Sequence, residues 1–299
     1  GYDDDDDDEA AAARTRALDD VRYERARAYV VALMQKITYD DWLPLLLGAD
    51  ALPPYAGYDD AVDASVANEF STAAFRLGHS MVSGELTMID ADGARSAMPL
   101  RKAFFQPPLM ADNLEGLLRG AARTRMQRMD RHIVEDLRSF LFASPSAEHL
   151  LDLAALNVQR GRDHGLPPLN GVRAAYGLAP HASFAALTGG DAALAADLAA
   201  LYDHVDDVDP WLGMIAEPAA TAAHAGTIIG ESIHAVVTDQ FMRFRDGDRF
   251  WYERAGVLPP AVLADVKRTT LRDVVLRNTA AAEAELPLAD VFVADDSQS

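Results

Sequence analysis

The chain has 299 residues, 49% of them hydrophobic, enough for one large or two ordinary domains with a real core. Its formal charge of −20 argues against nucleic acid and anionic membranes as partners, and no apolar run reaches the roughly 18 residues that a membrane span needs. Cysteine is absent, which excludes disulfides and thiolate metal ligands but leaves the compartment open.

The N-terminus is acidic where a signal peptide would be basic. Asp3 to Glu9 is an unbroken acidic run that repels itself, and residues 1–17 are expected to form a solvated, disordered tail. The run lacks the turn glycine and spaced ligands of a calcium loop. Leu18 to Ile37 reads as a helix with Val21, Ala28, Val31, Leu33 and Met34 on its apolar face. Thr38 to Asp41 offers a cap, Trp42 to Leu47 a short apolar helix ended by Gly48, and Ala51 to Tyr58 a loop.

A longer helix is expected from about Ala61 to Val82, then a short hairpin from Thr87 through Gly93. Further helices are expected over Asn113–Arg119, His132–Phe142 and Asp152–Arg160, and another after Pro167 and Pro168. The alanine-rich stretch Ala182–Tyr202 reads as two small helices broken at Gly189–Gly190. Thr227–Phe244 and Val262–Asn278 complete the helices before a loose tail over 286–299. With neither repeats nor a linker, residues 18–285 are expected to form one mainly α-helical domain, with at most a short β-hairpin.

The stretch Asn68 to Met81 (NEFSTAAFRLGHSM) organises this reading. Phe70, Ala73, Ala74, Leu77 and Met81 recur at helical spacing, and the small residues among them leave room for something flat against the backbone. Arg76 stands three positions before His79, so both can face one side of the helix, where a neutral imidazole beside a fixed cation suits an iron ligand near an anionic group. An ordinary core histidine satisfied by hydrogen bonds gives the same pattern. The histidines His132, His149, His181, His204, His224 and His234 include no pair at the i,i+4 spacing of a helical zinc motif.

The string AFRLGHSM resembles the proximal-histidine helix of the animal-type haem peroxidases. Three further strings agree in the family's order: ITYDDWLPLLLG from Ile37, LNVQRGRDHGLPPLNGVR from Leu156 and DQFMRFRDGDRFWY from Asp239. The resemblance implies haem as cofactor, His79 as axial iron ligand, and Asn157 accepting the other ring N–H through its side-chain oxygen. It also implies Arg160, and Arg76 beside the ligand, as partners of the haem propionates. A neutral amide pulls less on the imidazole than a carboxylate would, so a more oxidising iron is expected. Asp163 reads as a structural acceptor within its loop and His164 as a non-ligand. The RDGDR turn at Arg245 reads as a stabilised turn, and Trp211 and Trp251 as core.

The implied activity is peroxide-dependent oxidation of halides, thiocyanate or phenols, outside the cell and in the setting of oxidative stress. The family's distal histidine and arginine, its calcium site and its haem-linking carboxylates lie upstream of the helix matching Leu18–Ile37, so the resemblance covers roughly the C-terminal, proximal half. A split enzyme completed by a second chain, a truncated chain, and a non-catalytic haem-binding or structural relative all stand open. The fatty-acid oxygenase branch uses a radical tyrosine three residues before its proximal histidine. That position is Arg76 here.

Overall fold

The computed structural model describes residues 4–142, 150–219, 226–287 and 291–293. His149, His224 and residues 288–290 and 294–299 of the expected tail lie outside them. Helix α1 spans Asp4–Lys36, so the acidic run expected as a disordered tail forms its first turns. Its docking face also differs from expectation. Val21, Val31 and Met34 are exposed, whereas Ala32 is buried and, with Tyr29 and Leu33, packs on Trp251, Tyr252 and Val266. Polar anchors select that face: the Tyr29 hydroxyl donates to Asp265 at 2.6 Å, and the buried Lys36 pairs with Asp41 at 2.7 Å.

A π-helical turn (Ile37–Trp42) leads into α2 (Leu43–Leu47), whose Leu43, Leu46 and Leu47 are buried. The helix expected over 61–82 is three pieces: α3 (Asn68–Thr72), a 3₁₀ turn (Ala74–Leu77) and α4 (Gly78–Met81). Thr72 and Ser71 donate their hydroxyls back to the Asn68 carbonyl, at 2.6 and 3.2 Å, a competition that bends helices. The break falls at Ala73, at φ −131° and ψ −75°.

The hairpin is present as β1 (Glu85–Ile89) antiparallel to β2 (Arg95–Pro99), Thr87 opposite Ala97. After α5 (Pro107–Asp112), α6 (Leu114–Arg123) lies against β1 at Gly120, where a Cβ would collide with the Thr87 carbonyl. The amphipathic helix expected over His132–Phe142 is reduced to one turn, α7 (Glu135–Arg138).

Helices α8 (Leu153–Asp163, capped by Asp152), α9 (Leu169–Ala175), α10 (Phe184–Leu187), α11 (Ala192–Leu201) and α12 (Pro210–Ala216) follow. Gly189 and Gly190, at φ 62° and 91°, make the expected break between α10 and α11. Helix α13 (Glu231–Asp246) runs through the main core, burying Ile233, Val236, Val237 and Phe241 against Phe70, Leu77, Met214 and the α2 leucines. The last helix expected is two, α14 (Pro260–Arg268) and α15 (Leu271–Asn278), because Thr270 and Asp273 form a capping box that starts a new helix. The fold is thus mainly α with a single hairpin among the described residues. No described helix is long and apolar enough to cross a membrane.

Candidate functional site

The core helix fixes where the site begins. Gln240 on α13 accepts from the Ala67 backbone N–H at 2.7 Å and donates to the Ser65 carbonyl at 3.0 Å, which sets the start of α3. Phe70 stacks on Phe75 at 4.6 Å between centroids and meets Phe241 and Phe244 edge-on. The chain then turns through Ala73 and presents Arg76 and His79 toward α8.

All of the residues singled out for this site come together except in one detail. Asn157, fully buried, reaches both: Arg76 Nη1 donates to its Oδ1 at 2.9 Å, and its Nδ2 lies 2.9 Å from His79 Nδ1. The end of the amide expected to face the imidazole was the oxygen; here that oxygen is held by Arg76, a group that can only donate. Burial, and next the Arg76 charge, lower the His79 pKa, so the ring is neutral. Burial, and next the neighbouring Arg160, likewise lower the Arg76 pKa.

Neither arginine has a carboxylate ion-pair partner among the described residues, although the sequence holds 47 acidic side chains against 27 basic ones. Two adjacent cations left unpaired in so acidic a protein form a place for an anionic group. Exposed apolar side chains occur in the segment leading to Asn157 and in the one bridged to it. Leu156 precedes Asn157, Leu151 bridges to Leu141, and the next residue, Phe142, touches Phe105 at 5.4 Å. Phe105 and Phe142 both adopt left-handed backbone, at φ 56° and 60°, which for bulky residues costs on the order of 1–3 kcal/mol each. Their composition carries no such signal, and sequence reasoning missed them.

The loop after α8 braces the site. Asn68 Nδ2 donates to the His164 carbonyl at 3.1 Å, and His164 Nδ1 lies 2.9 Å from Asn68 Oδ1, so His164 is a tie to α3. Asp163 accepts from Gln159 at 2.7 Å. Arg162 forms a two-pronged pair with Asp209, whose carboxylate also accepts from Tyr202. Arg245 donates to the Pro53 carbonyl and to Asp246, which makes the RDGDR segment a tied turn; Trp211 and Trp251 are buried. Among the described residues no three His, Asp or Glu side chains are grouped to hold a metal ion, so what the site offers is a single imidazole.

Residues 8–292 match the animal haem peroxidase family. Peroxinectin A of Dictyostelium discoideum is 37% identical over 263 residues, covering 87% of this chain and 48% of the relative. Thyroid peroxidase of Sus scrofa is 39% identical over 273 residues, covering 87% of this chain and 29% of the relative. Among solved structures, peroxidase A from Dictyostelium discoideum superposes with a TM-score of 0.80 at 36% identity, covering 88% of this chain and 50% of that one. A fatty acid alpha-dioxygenase of Oryza sativa shares the fold at a TM-score of 0.76 and 19% identity. The chain spans about half the length of these relatives or less. By family match, sequence identity and fold alike, this chain belongs to the animal haem peroxidases.

Proposed function

We propose that the chain is the proximal-side portion of a haem peroxidase that oxidises halides or small organic donors with hydrogen peroxide. The observation that carries this reading is the buried Asn157 set between His79 and Arg76, with Arg160 alongside and no carboxylate for either arginine. These residues fit haem: an imidazole for the iron and two cations without carboxylate partners for the two propionates. When bound, haem supplies an iron that peroxide can oxidise.

His79 would hold that iron through one ring nitrogen, with Asn157 orienting the imidazole from behind. The half-buried Arg76 and the exposed Arg160 would pair with the propionates. The distal histidine and arginine, which move the peroxide proton and stabilise the departing oxygen, come from outside this chain, on a further segment or a second chain, together with any calcium site. Action outside the cell is proposed from the family resemblance alone and rests on no residue of this chain.

The test is a haemin titration of the purified chain followed by absorbance. A Soret band lost in His79→Ala supports the ligand assignment, and guaiacol or bromide oxidation appearing only when a distal half is added supports the divided site. A Soret band with no turnover even on addition of that half favours a non-catalytic haem-binding module. No Soret band overturns the haem reading.

A further inference from the structure

We propose that the cavity beside Trp251 is a second site, for cationic phenols or aromatic amines, which are oxidised there through a chain of aromatic rings leading to the haem side of the protein. This rests on the haem reading above. The cavity has a volume of about 310 Å³ and is lined by Tyr39, Asp40, Tyr55, Arg245, Trp251 and Glu253 among others. That volume suits one substituted aromatic ring.

Its charges sort into paired and unpaired. Arg245 is held by Asp246 and the Pro53 carbonyl, and Glu253 pairs with Lys267 at 2.7 Å. Asp40 has no ion pair among the described residues; it feels the charge of Lys36, which is itself paired with Asp41, and receives a 3.4 Å contact from the Tyr252 hydroxyl. The Tyr55 hydroxyl is buried with no hydrogen-bond partner. A donor with an ammonium group and a hydroxyl or amine answers both: the cation meets Asp40, and the polar substituent meets Tyr55.

The rings run unbroken toward His79. Trp251 meets Tyr39 at 4.6 Å between centroids, Tyr39 meets Phe241 at 5.5 Å, and Phe241 meets Phe75 at 5.6 Å. Trp42 sits against both Phe241 and Phe75, at 6.4 and 6.3 Å. Phe75 precedes Arg76 and lies one helical turn before His79. Tryptophan and tyrosine are the side chains most readily oxidised, so Trp42, Tyr39 and Trp251 are the stations and the phenylalanines fill the intervals.

Proton acceptors decide where an oxidising equivalent comes to rest. The Tyr39 hydroxyl donates to the Phe241 carbonyl, which cannot take the proton. Trp251 Nε1 donates to a Glu253 carboxylate oxygen at 3.4 Å, and Tyr252, in ring contact with Trp251 at 5.0 Å, faces Asp40. The cavity end therefore has bases at hand and the middle of the chain does not.

The oxidant is hydrogen peroxide acting at the haem. Its O–O bond breaks, and two electrons and two protons from two donor molecules complete two waters. Each donor gives one electron to oxidised Trp251 and its O–H or N–H proton to a cavity carboxylate, and leaves as a radical.

Two measurements on the full chain test this. Without haem, calorimetry should show saturable binding of tyramine, weakened about tenfold by Asp40→Asn, with 4-hydroxyphenylacetate about tenfold weaker than tyramine. Equal affinity for the two phenols, or no loss in Asp40→Asn, overturns the cavity assignment. With haem bound and the distal half added, as in the turnover assay above, peroxide and a spin trap should place an adduct on Trp251 or Tyr252 by peptide mapping. Tyr39→Phe keeps the ring and the fold, and should diminish that adduct while leaving the Soret band unchanged. An adduct absent from both residues, or unmoved by Tyr39→Phe, overturns the relay. A chain that takes up no haem overturns the haem reading and the relay together, while the tyramine isotherm still decides the cavity.

Discussion

Arg76 donates to Asn157 Oδ1 at 2.9 Å, and that hydrogen bond decides which end of the amide His79 meets. With the oxygen engaged, Nδ2 faces the imidazole, so Nδ1 accepts and the ring proton sits on Nε2. In ¹⁵N-histidine spectra of the haem-free protein, His79, assigned by its loss in His79→Ala, should show the Nε2–H tautomer. Arg76→Leu frees the amide to turn its oxygen to the ring and should move the population toward Nδ1–H. An unchanged tautomer would contradict the geometry.

Asn157→Ala removes the group that orients the imidazole and leaves a cavity in the fully buried core of the site. Haem affinity should drop about 10–100-fold, as for other groups that orient a metal ligand from behind. A spectrophotometric titration against the wild-type chain measures it. Asn157→Asp places a carboxylate between His79 and Arg76; the haem reduction potential should then move downward as the imidazole gains anionic character.

Glu217 ties three helices together. It accepts from Arg173 at 2.7 Å, from the Ser232 backbone N–H at 2.7 Å and hydroxyl at 2.6 Å, and it lies 2.9 Å from His181 Nε2. Burial alone would raise its pKa, but these contacts together hold it below the ordinary glutamate value. A depressed folded-state pKa gives stability that is present above the unfolded value of about 4.3 and lost as pH falls through the folded value. Urea midpoints should therefore fall below about pH 4, with a shallower slope in Glu217→Gln.

Removing the other partner leaves two carboxylates without their cation, since Arg173 also pairs with Glu231 at 2.7 Å. Arg173→Met should cost about 3–5 kcal/mol of stability in chemical denaturation.

Gly120 lets α6 lie directly on β1. Gly120→Val forces these elements apart, and a loss of about 1–3 kcal/mol is expected in the same assay. A loss confined to helix propensity would be well under 1 kcal/mol.

The site was legible because its parts lie in two short strings with fixed spacings: Arg76 three before His79, and Arg160 three after Asn157. What those spacings do not carry is the direction of the Asn157 amide, which depends on an arginine from the other string. Apolar periodicity runs straight through Ala73 and through Thr269–Thr270, where side-chain oxygens claim backbone groups and stop the helix. The Thr270–Asp273 box was readable in principle, while the back-bonding of Thr72 leaves no spacing to read. For α1, amphipathicity named a face that tertiary partners overrode, since Trp251 and Val266 receive Ala32 instead.

The two contacts between Asn68 and His164 join positions 96 residues apart into a bracket. One arm is α8 with Asn157, the other the segment from α3 to His79. A push at the far end of α8 then arrives at the imidazole as a tilt of the whole bracket rather than as slack between its arms. The ring and the amide behind it travel together while their surroundings shift.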